Sequence, residues 1–230
     1  HPDIAVVLNV DADHMEYFKT MDHVLDSYHR FAAMATKAVI YNGDDANSCR
    51  AVQGIEGVKL LSFGMGEDND YHACNIRHVD GRHTLYDLYY KQERLGQVKL
   101  NVPGEHNVLN SMAAVAAAIE SGCQTQRAVE SVSAFQGAGR RFEIMGTNKG
   151  VTIADDYGHH PAEIVVTLKA AKQMVYRQVW AVHQPFTYSR TAMLLDDFAR
   201  VLQIADHVVL SEIMGSREKN TYNIYASDLA

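Results

Sequence analysis

Apolar positions recur along this chain in two rhythms, and the switching between them predicts its elements. Residues 4–10 form a largely apolar run of the kind that a parallel sheet covered on both faces uses. Residues 21–35 carry helical spacing, Ala38-Val39-Ile40-Tyr41 reads as the next strand, and Asn42-Gly43-Asp44-Asp45 as a turn. From residue 58 to 100 the texture changes. The runs 59–63, 84–90 and 96–100 are β-rich, and Gly64, Gly66, Asp80-Gly81 and Gly96 punctuate them. They predict antiparallel strands appended to the parallel sheet. An alanine-rich helix then runs to Ile119 with Gly122 ending it, and residues 124–135 form a further helix.

Gln136-Gly137-Ala138-Gly139 breaks this pattern, so the domain boundary is placed here: residues 1–138 and residues 139–230. The second part alternates. A buried strand is expected over 150–154, a helix over 162–174, a strand over 178–182, a helix over 191–202 and a strand over 207–210. A helix starting at Ala226 is cut short. The βαβα rhythm predicts an α/β protein whose second domain is Rossmann-like. No G-x-G-x-x-G is present, so no dinucleotide cofactor is expected. The chain opens straight into a strand without a methionine and stops at the opening of a helix, which reads as an interior fragment of something longer.

Composition narrows the class. Of 230 residues, 47% are hydrophobic and 21% charged, which suits a globular core. A net charge of −7 argues against a nucleic-acid or membrane-surface binder. Cys49, Cys74 and Cys123 are odd in number and lack metal-ligand spacing, as reduced thiols in a cytoplasmic protein would be. No signal peptide is seen, and no apolar run approaches the roughly 20 residues that span a bilayer.

Four stretches carry candidate chemistry. The central one, Asp155-Asp156-Tyr157-Gly158-His159-His160-Pro161-Ala162-Glu163, lies where a strand ends and a helix begins, the place where α/β sheets bind ligands. His159 and His160 point to opposite sides in an extended segment and so do not share a metal. A polar turn with Asp155 or Asp156 as helix cap is the competing reading. Asp11, Asp13 and His14 follow the first strand, either as ligands for a divalent ion near phosphates or as a helix cap. His106, Asn107 and Asn110 open the alanine-rich helix and can grip a nucleotide, because capping alone explains one asparagine. Arg140-Arg141 at the boundary suits phosphate oxygens, and the 183–190 loop places Arg190 on the same sheet edge as His159.

Taken together, these stretches resemble the Mur ligases. Asn9 to His14 looks like the family's N-x-x-x-D-H, and Gly104 to Asn110 like its G-x-H-N-x-x-N. Phe135 to Glu143 is similar to the F-x-G-x-x-R-R-F segment joining the central and C-terminal domains. Asp155 to Pro161 resembles D-D-Y-G-H-H-P, and Gln184 to Thr191 resembles Q-P-H-x-Y-S-R-T. The resemblance implies a central ATP-binding domain (1–138) followed by a truncated C-terminal ligase domain (139–230). It implies ATP-dependent amide formation between UDP-N-acetylmuramate and L-alanine through an acyl phosphate, in cytoplasmic peptidoglycan precursor synthesis, by a monomer or weak homodimer.

It further implies that His106, Asn107, Asn110 and Arg141 contact ATP, and that His14 holds Mg2+. Tyr157, His159 and Arg190 would form the alanine pocket, and Asp156, His159 and Arg141 would be catalytic. The family's G-K-[ST] phosphate loop is absent from these 230 residues, so the chain alone is expected to be inactive. Phe186 and Thr187 depart from the family pattern. A muramyl-peptide recycling ligase is the near rival. A metal-dependent hydrolase built on Asp13-His14 and Asp156-His159 is the rival of another class, and a binding-only fragment is the third reading.

Overall fold

The computed structural model describes residues 1–79 and 82–230, and the Asp80-Gly81 turn read from the sequence lies outside them. The chain divides into two compact units. One comprises residues 1–79, 83–101 and 105–135, and the other is built chiefly from residues 136–230.

The first unit carries a six-stranded sheet in the order β1 (Ile4–Val7), β2 (Ala38–Asn42), β3 (Lys59–Gly64), β4 (Tyr71–Val79), β5 (His83–Tyr90) and β6 (Glu93–Leu100). β1, β2 and β3 run parallel, and β4 to β6 form an antiparallel ribbon. The expectation that 59–63 belongs to the antiparallel set is corrected. β3 follows β2 through a helix that the sequence reading lacked, α3 (Ala46–Val52), and such a crossover returns the chain parallel. Only Phe63↔Tyr71 and Gly64↔His72 join β3 to β4.

The first helices are α1 (Met15–Phe18) and α2 (Met21–Ala33), the latter capped by Thr20, whose Oγ1 accepts from His23 N at 3.3 Å. α4 (Glu105–Glu120) packs across β1 to β4, and α5 (Thr125–Ala134) packs against α4 and β6. α4 buries Val108, Met112, Val115 and Ala116. Each large apolar side chain so buried contributes about 1.5–3 kcal/mol.

The second unit departs further from its sequence reading. β8 (Val151–Asp155) is not a buried parallel strand; Val151 and Ile153 are 62% and 60% exposed. It pairs antiparallel with β7 (Glu143–Asn148), which the sequence reading had passed over. Lys149 and Gly150 connect them with φ of 49° and 81°, the double left-handed geometry of a two-residue hairpin turn.

After α6 (Pro161–Gln173), the strand expected over 178–182 is β9 (Trp180–His183), and it pairs parallel with β10 (His207–Leu210). The single helix expected over 191–202 is two, α7 (Tyr188–Met193) and α8 (Leu195–Leu202), broken at Leu194. The segment at Ala226–Asp228 is a 3-10 turn. Ile164, Leu168, Phe198, Val201, Leu202 and Leu229 form this unit's core. The α/β class holds throughout, and no helix among the described residues is long and apolar enough to cross a membrane.

Candidate functional site

Two groups of candidate residues fall in separate units. In the first unit the segment after β1 is pinned to the start of α3. Asp45 Oδ2 accepts from Val10 N at 3.1 Å and Ser48 N at 2.8 Å, and Asn47 Nδ2 donates to Val10 O at 3.0 Å. This anchor fixes the segment carrying Asp11, Asp13 and His14 at the end of β1. Neither aspartate caps α1. His14 itself is at the cap position with φ 54°, and Asp13 Oδ1 accepts from His14 N at 2.8 Å. His14 Nε2 lies 3.6 Å from Asp13 Oδ2 on an exposed corner. Among the described residues no three His, Cys, Asp or Glu side chains gather as a metal-ligating set. That donor set suits Mg2+ only in the manner of an ion that keeps waters and takes most ligands from substrate phosphates. His106, Asn107 and Asn110 occupy the first turn and a half of α4, with Asn110 exposed and the other two half-buried.

In the second unit the site is built around the turn between β8 and α6. His160, not an aspartate, caps α6: its Nδ1 accepts from Ala162 N at 3.2 Å, and Glu163 Oε2 accepts from His160 N at 3.2 Å. Pro161 occupies the first helical position, where its missing N–H costs nothing. The capping-box reciprocity of His160 and Glu163 defines where the helix begins, and hence where His159 stands.

Asp156 is engaged by the backbone. Its carboxylate accepts from Phe142 N at 2.9 Å, Gly158 N at 2.7 Å and Thr167 Oγ1 at 3.1 Å. It thereby ties the arginine segment, the turn and α6 together. Arg140 stacks over the Tyr157 ring at 4.7 Å and pairs with Asp155 at 3.3 Å. Arg140 and Phe142 both adopt positive φ, 57° and 48°, on either side of Arg141. Non-glycine residues in that region are strained by about 1 kcal/mol or more, and the hydrogen bonds of Arg140 N to Glu143 and of Phe142 N to Asp156 hold them there. Arg141 is presented between them, with Nη1 3.3 Å from Glu163 Oε1.

His159 is two-thirds buried and has a defined ring orientation. Its Nδ1 lies 3.1 Å from Tyr157 O, so the neutral ring donates there and Nε2 carries the lone pair. Tyr157 meets His159 edge-on at 5.3 Å, and Phe186 meets it edge-on at 6.3 Å. β8 and β9 lie in different sheets, so the shared sheet edge expected for His159 and Arg190 is corrected. The loops after the two strands converge through Phe186. Arg190 is half-buried in the first turn of α7, whose cap Thr187 has the unusual pair φ 56°, ψ 154°. Thr187 Oγ1 accepts from Arg190 N at 3.4 Å, and Glu218 accepts from Ser189 N at 2.9 Å and Ser189 Oγ at 2.6 Å.

A cavity of about 480 Å³ opens between β8, β9 and α6, lined by Ile144, Thr152, Asp156, Thr167, Val182 and His183 among others. His183 is 9% exposed, its Nε2 is buried without a partner, and its ring tilts on Phe198 at 5.6 Å. Burial pushes its pKa down from the ordinary histidine value. A depressed folded pKa means that the unfolded chain binds the proton more readily. The stability contribution is therefore complete above about pH 6.5 and is lost as the pH falls below it. Denaturant midpoints followed through Trp180, the sole tryptophan, are expected to drop between pH 7.5 and 5.5, and His183→Phe is expected to flatten that dependence. An unchanged pH dependence in the variant would show that another group carries it.

The sequence assigns no role to Glu163 or Glu218, and it pairs Arg140 with Arg141 for phosphate, whereas Arg140 here lies over Tyr157 and beside Asp155. Glu163 had a signal: it follows the cap residue by three, the spacing of a capping box. Burial raises its pKa, but the His159 and His160 N–H groups, Arg141 and the His159 ring outweigh this and hold it below the usual carboxylate range. Glu218 comes from a segment 29 residues beyond its Ser189 partner, and no local pattern announces it.

Residues 1–118 match the Mur ligase middle domain, and residues 140–227 match the Mur ligase glutamate ligase domain. A UDP-N-acetylmuramate–L-alanine ligase of Caldanaerobacter subterraneus is 39% identical over 231 residues, covering 100% of this chain and 50% of its own. The crystal structure of the UDP-N-acetylmuramate-alanine ligase MurC of Thermotoga maritima superimposes with a TM-score of 0.74 at 26% identity, over 94% of this chain and 47% of that one. The MurF ligase of Thermotoga maritima in complex with ADP shares the fold, with a TM-score of 0.75 at 20% identity over 91% and 48% of the two chains. The chain thus spans about half the length of the curated relatives it matches. Two family domains follow one another in order, and the strand-end motifs occupy the turns that assemble each candidate group. The chain belongs to the Mur ligase family.

Proposed function

We propose that this chain is the nucleotide- and amino-acid-handling part of an ATP-dependent ligase that joins L-alanine to UDP-N-acetylmuramate. The observation that carries the reading is the His159 ring, oriented by Tyr157 O through Nδ1 and in edge contact with the Tyr157 and Phe186 rings. An amino-acid ammonium must lose a proton before it attacks an acyl phosphate, and an imidazole acceptor suits that step. Tyr157 and Phe186 offer apolar walls for a single methyl group, and Arg190 offers a guanidinium fork for the carboxylate. His106, Asn107 and Asn110 contact ATP in this reading, and the ADP named with the Thermotoga maritima MurF structure supports a nucleotide in this fold. Mg2+, held by His14 and the nucleotide phosphates, would neutralise charge on the transferring phosphoryl group. Arg141 would bind phosphate oxygens. The hydrolase alternative is disfavoured because the Asp156 oxygens are committed to three protein donors.

The test is a chimera in which this chain replaces the matched half of the Caldanaerobacter subterraneus ligase. The isolated chain is expected to release no phosphate with ATP and alanine, since it holds no G-K-[ST] loop, and the chimera is expected to ligate. In the chimera, Arg190→Lys is expected to lower kcat/KM for alanine by about 1–3 kcal/mol while sparing ATP and the UDP-sugar. Equal losses for all three substrates would remove Arg190 from the pocket. Alanine-dependent phosphate release by the isolated chain would contradict the assignment of roles.

A further inference from the structure

The Glu163 carboxylate reaches four groups of the site. Oε2 accepts from His159 N at 2.9 Å and His160 N at 3.2 Å and stands 3.7 Å from His159 Nδ1, while Oε1 faces Arg141 Nη1 at 3.3 Å. We infer that Glu163 is a positioning residue that holds Arg141 as a stand-in for a phosphate, releases it to a phosphate anion, and stays behind against His159. This inference rests on the ligase reading above.

The two oxygens are held unequally. Oε2 is fixed by the helix cap, so the carboxylate cannot follow Arg141 if the guanidinium moves. The Arg141 contact is a single, long, half-exposed pair, which is weak, whereas a phosphate offers a guanidinium two parallel charge-assisted hydrogen bonds. Arg141 is also kept within reach. Strained Arg140 and Phe142 flank it, each with its backbone N–H tethered to a carboxylate. Once Arg141 has left, the charge it had balanced remains beside His159 Nδ1, where it favours a ring that takes up a proton at Nε2. Phosphate capture at Arg141 and proton acceptance at His159 are thereby linked through one side chain.

The experiment uses the 230-residue chain itself, with inorganic pyrophosphate as the probe and calorimetric titration as the readout. Four versions are compared: the parent, Glu163→Gln, Arg141→Ala and the double variant. Glutamine keeps the N3 acceptor of a capping box but not the charge, so Glu163→Gln is expected to lower the denaturant midpoint read from Trp180 only modestly. Removing the competing charge is expected to tighten pyrophosphate binding roughly two- to fivefold, the range of an exposed ion pair. The gain is expected to vanish when Arg141 is alanine. Equal affinity of the parent and Glu163→Gln overturns the inference, as does a gain that persists without Arg141 or an absence of binding by Glu163→Gln. A purely capping role would move none of these affinities. Because alanine and the UDP-sugar are not in the titration, failure of the chimera to ligate would strike the ligase reading and leave this cycle to be judged separately.

Discussion

Asp156→Ala is expected to destabilise the unit built on residues 136–230 by about 3–5 kcal/mol. The carboxylate accepts from Phe142 N, Gly158 N and Thr167 Oγ1 at 2.9, 2.7 and 3.1 Å. Hydrogen bonds to a charged acceptor are worth about 1.5–3 kcal/mol each, and partial burial places these near the lower end. Alanine also leaves the Phe142 and Gly158 N–H groups to find water. Phe142 is at φ 48°, so losing its tether releases backbone strain and with it the shape of the Arg141 turn. Asp156→Asn keeps one acceptor oxygen and is expected to cost less. Urea unfolding followed by Trp180 fluorescence measures both. A loss below about 1 kcal/mol for the alanine variant would mean that these contacts are dispensable, and would return Asp156 to a directly chemical role. A large loss has the opposite lesson: inactivity of Asp156→Ala in a working ligase would not identify a catalytic group, because the turn carrying Tyr157 and His159 would go with it.

The second large effect is at Phe198, where alanine is expected to cost about 3–5 kcal/mol. Phe198 is fully buried, clusters with Ile164, Leu168, Val201 and Leu202, and supports the His183 ring. Removing it leaves a void beside the existing cavity and strips contact from the last residue of β9, which leads into the loop bearing Phe186 and Arg190. Phe198→Leu keeps most of the volume and is expected to cost less than about 1.5 kcal/mol. Domains carry only about 5–15 kcal/mol in total, so the alanine variant forfeits a large share of its unit's stability. Denaturant midpoints for the two variants, compared at one pH above 7 so that His183 stays neutral, decide the matter; equal losses for Ala and Leu would show that the site collapses without a void.

The sequence was most readable where one physical rule dominated. α4 is alanine-rich and ends at Gly122, and its expected extent is close to that observed. β1 and β2 are apolar runs buried by helices, and they too lie where the pattern put them, although β1 stops at Val7 rather than Val10. α3 was missed because Ala46-Asn47-Ser48-Cys49-Arg50 has little apolar periodicity; its start is set by the Asp45 cap. Val151 and Ile153 predict a buried β8, yet among the described residues it pairs with β7 alone, and that pairing comes from a turn rather than from hydrophobic alternation. At the site, Tyr157, His159 and Arg190 were legible as residue types at strand ends. The Glu163 and Glu218 contacts were not, because hydrogen bonds to backbone N–H groups leave no compositional trace. Phe186 departs from the family pattern in the sequence, and its ring proves to be where the two loops touch.

The two-residue pairing between β3 and β4 makes the first unit's sheet two plates joined by a narrow weld. A load that pulls the β4–β6 ribbon from the parallel strands meets few hydrogen bonds at the weld itself. The brace is α4, which lies across β1 to β4 and bridges both plates from one face. His106, Asn107 and Asn110 open that same helix, so any ligand gripped by its first turns pulls on the brace rather than on either plate alone. Occupancy there would stiffen the sheet against shear between its plates, and slowed amide exchange at Gly64, whose backbone faces β4, would record the stiffening.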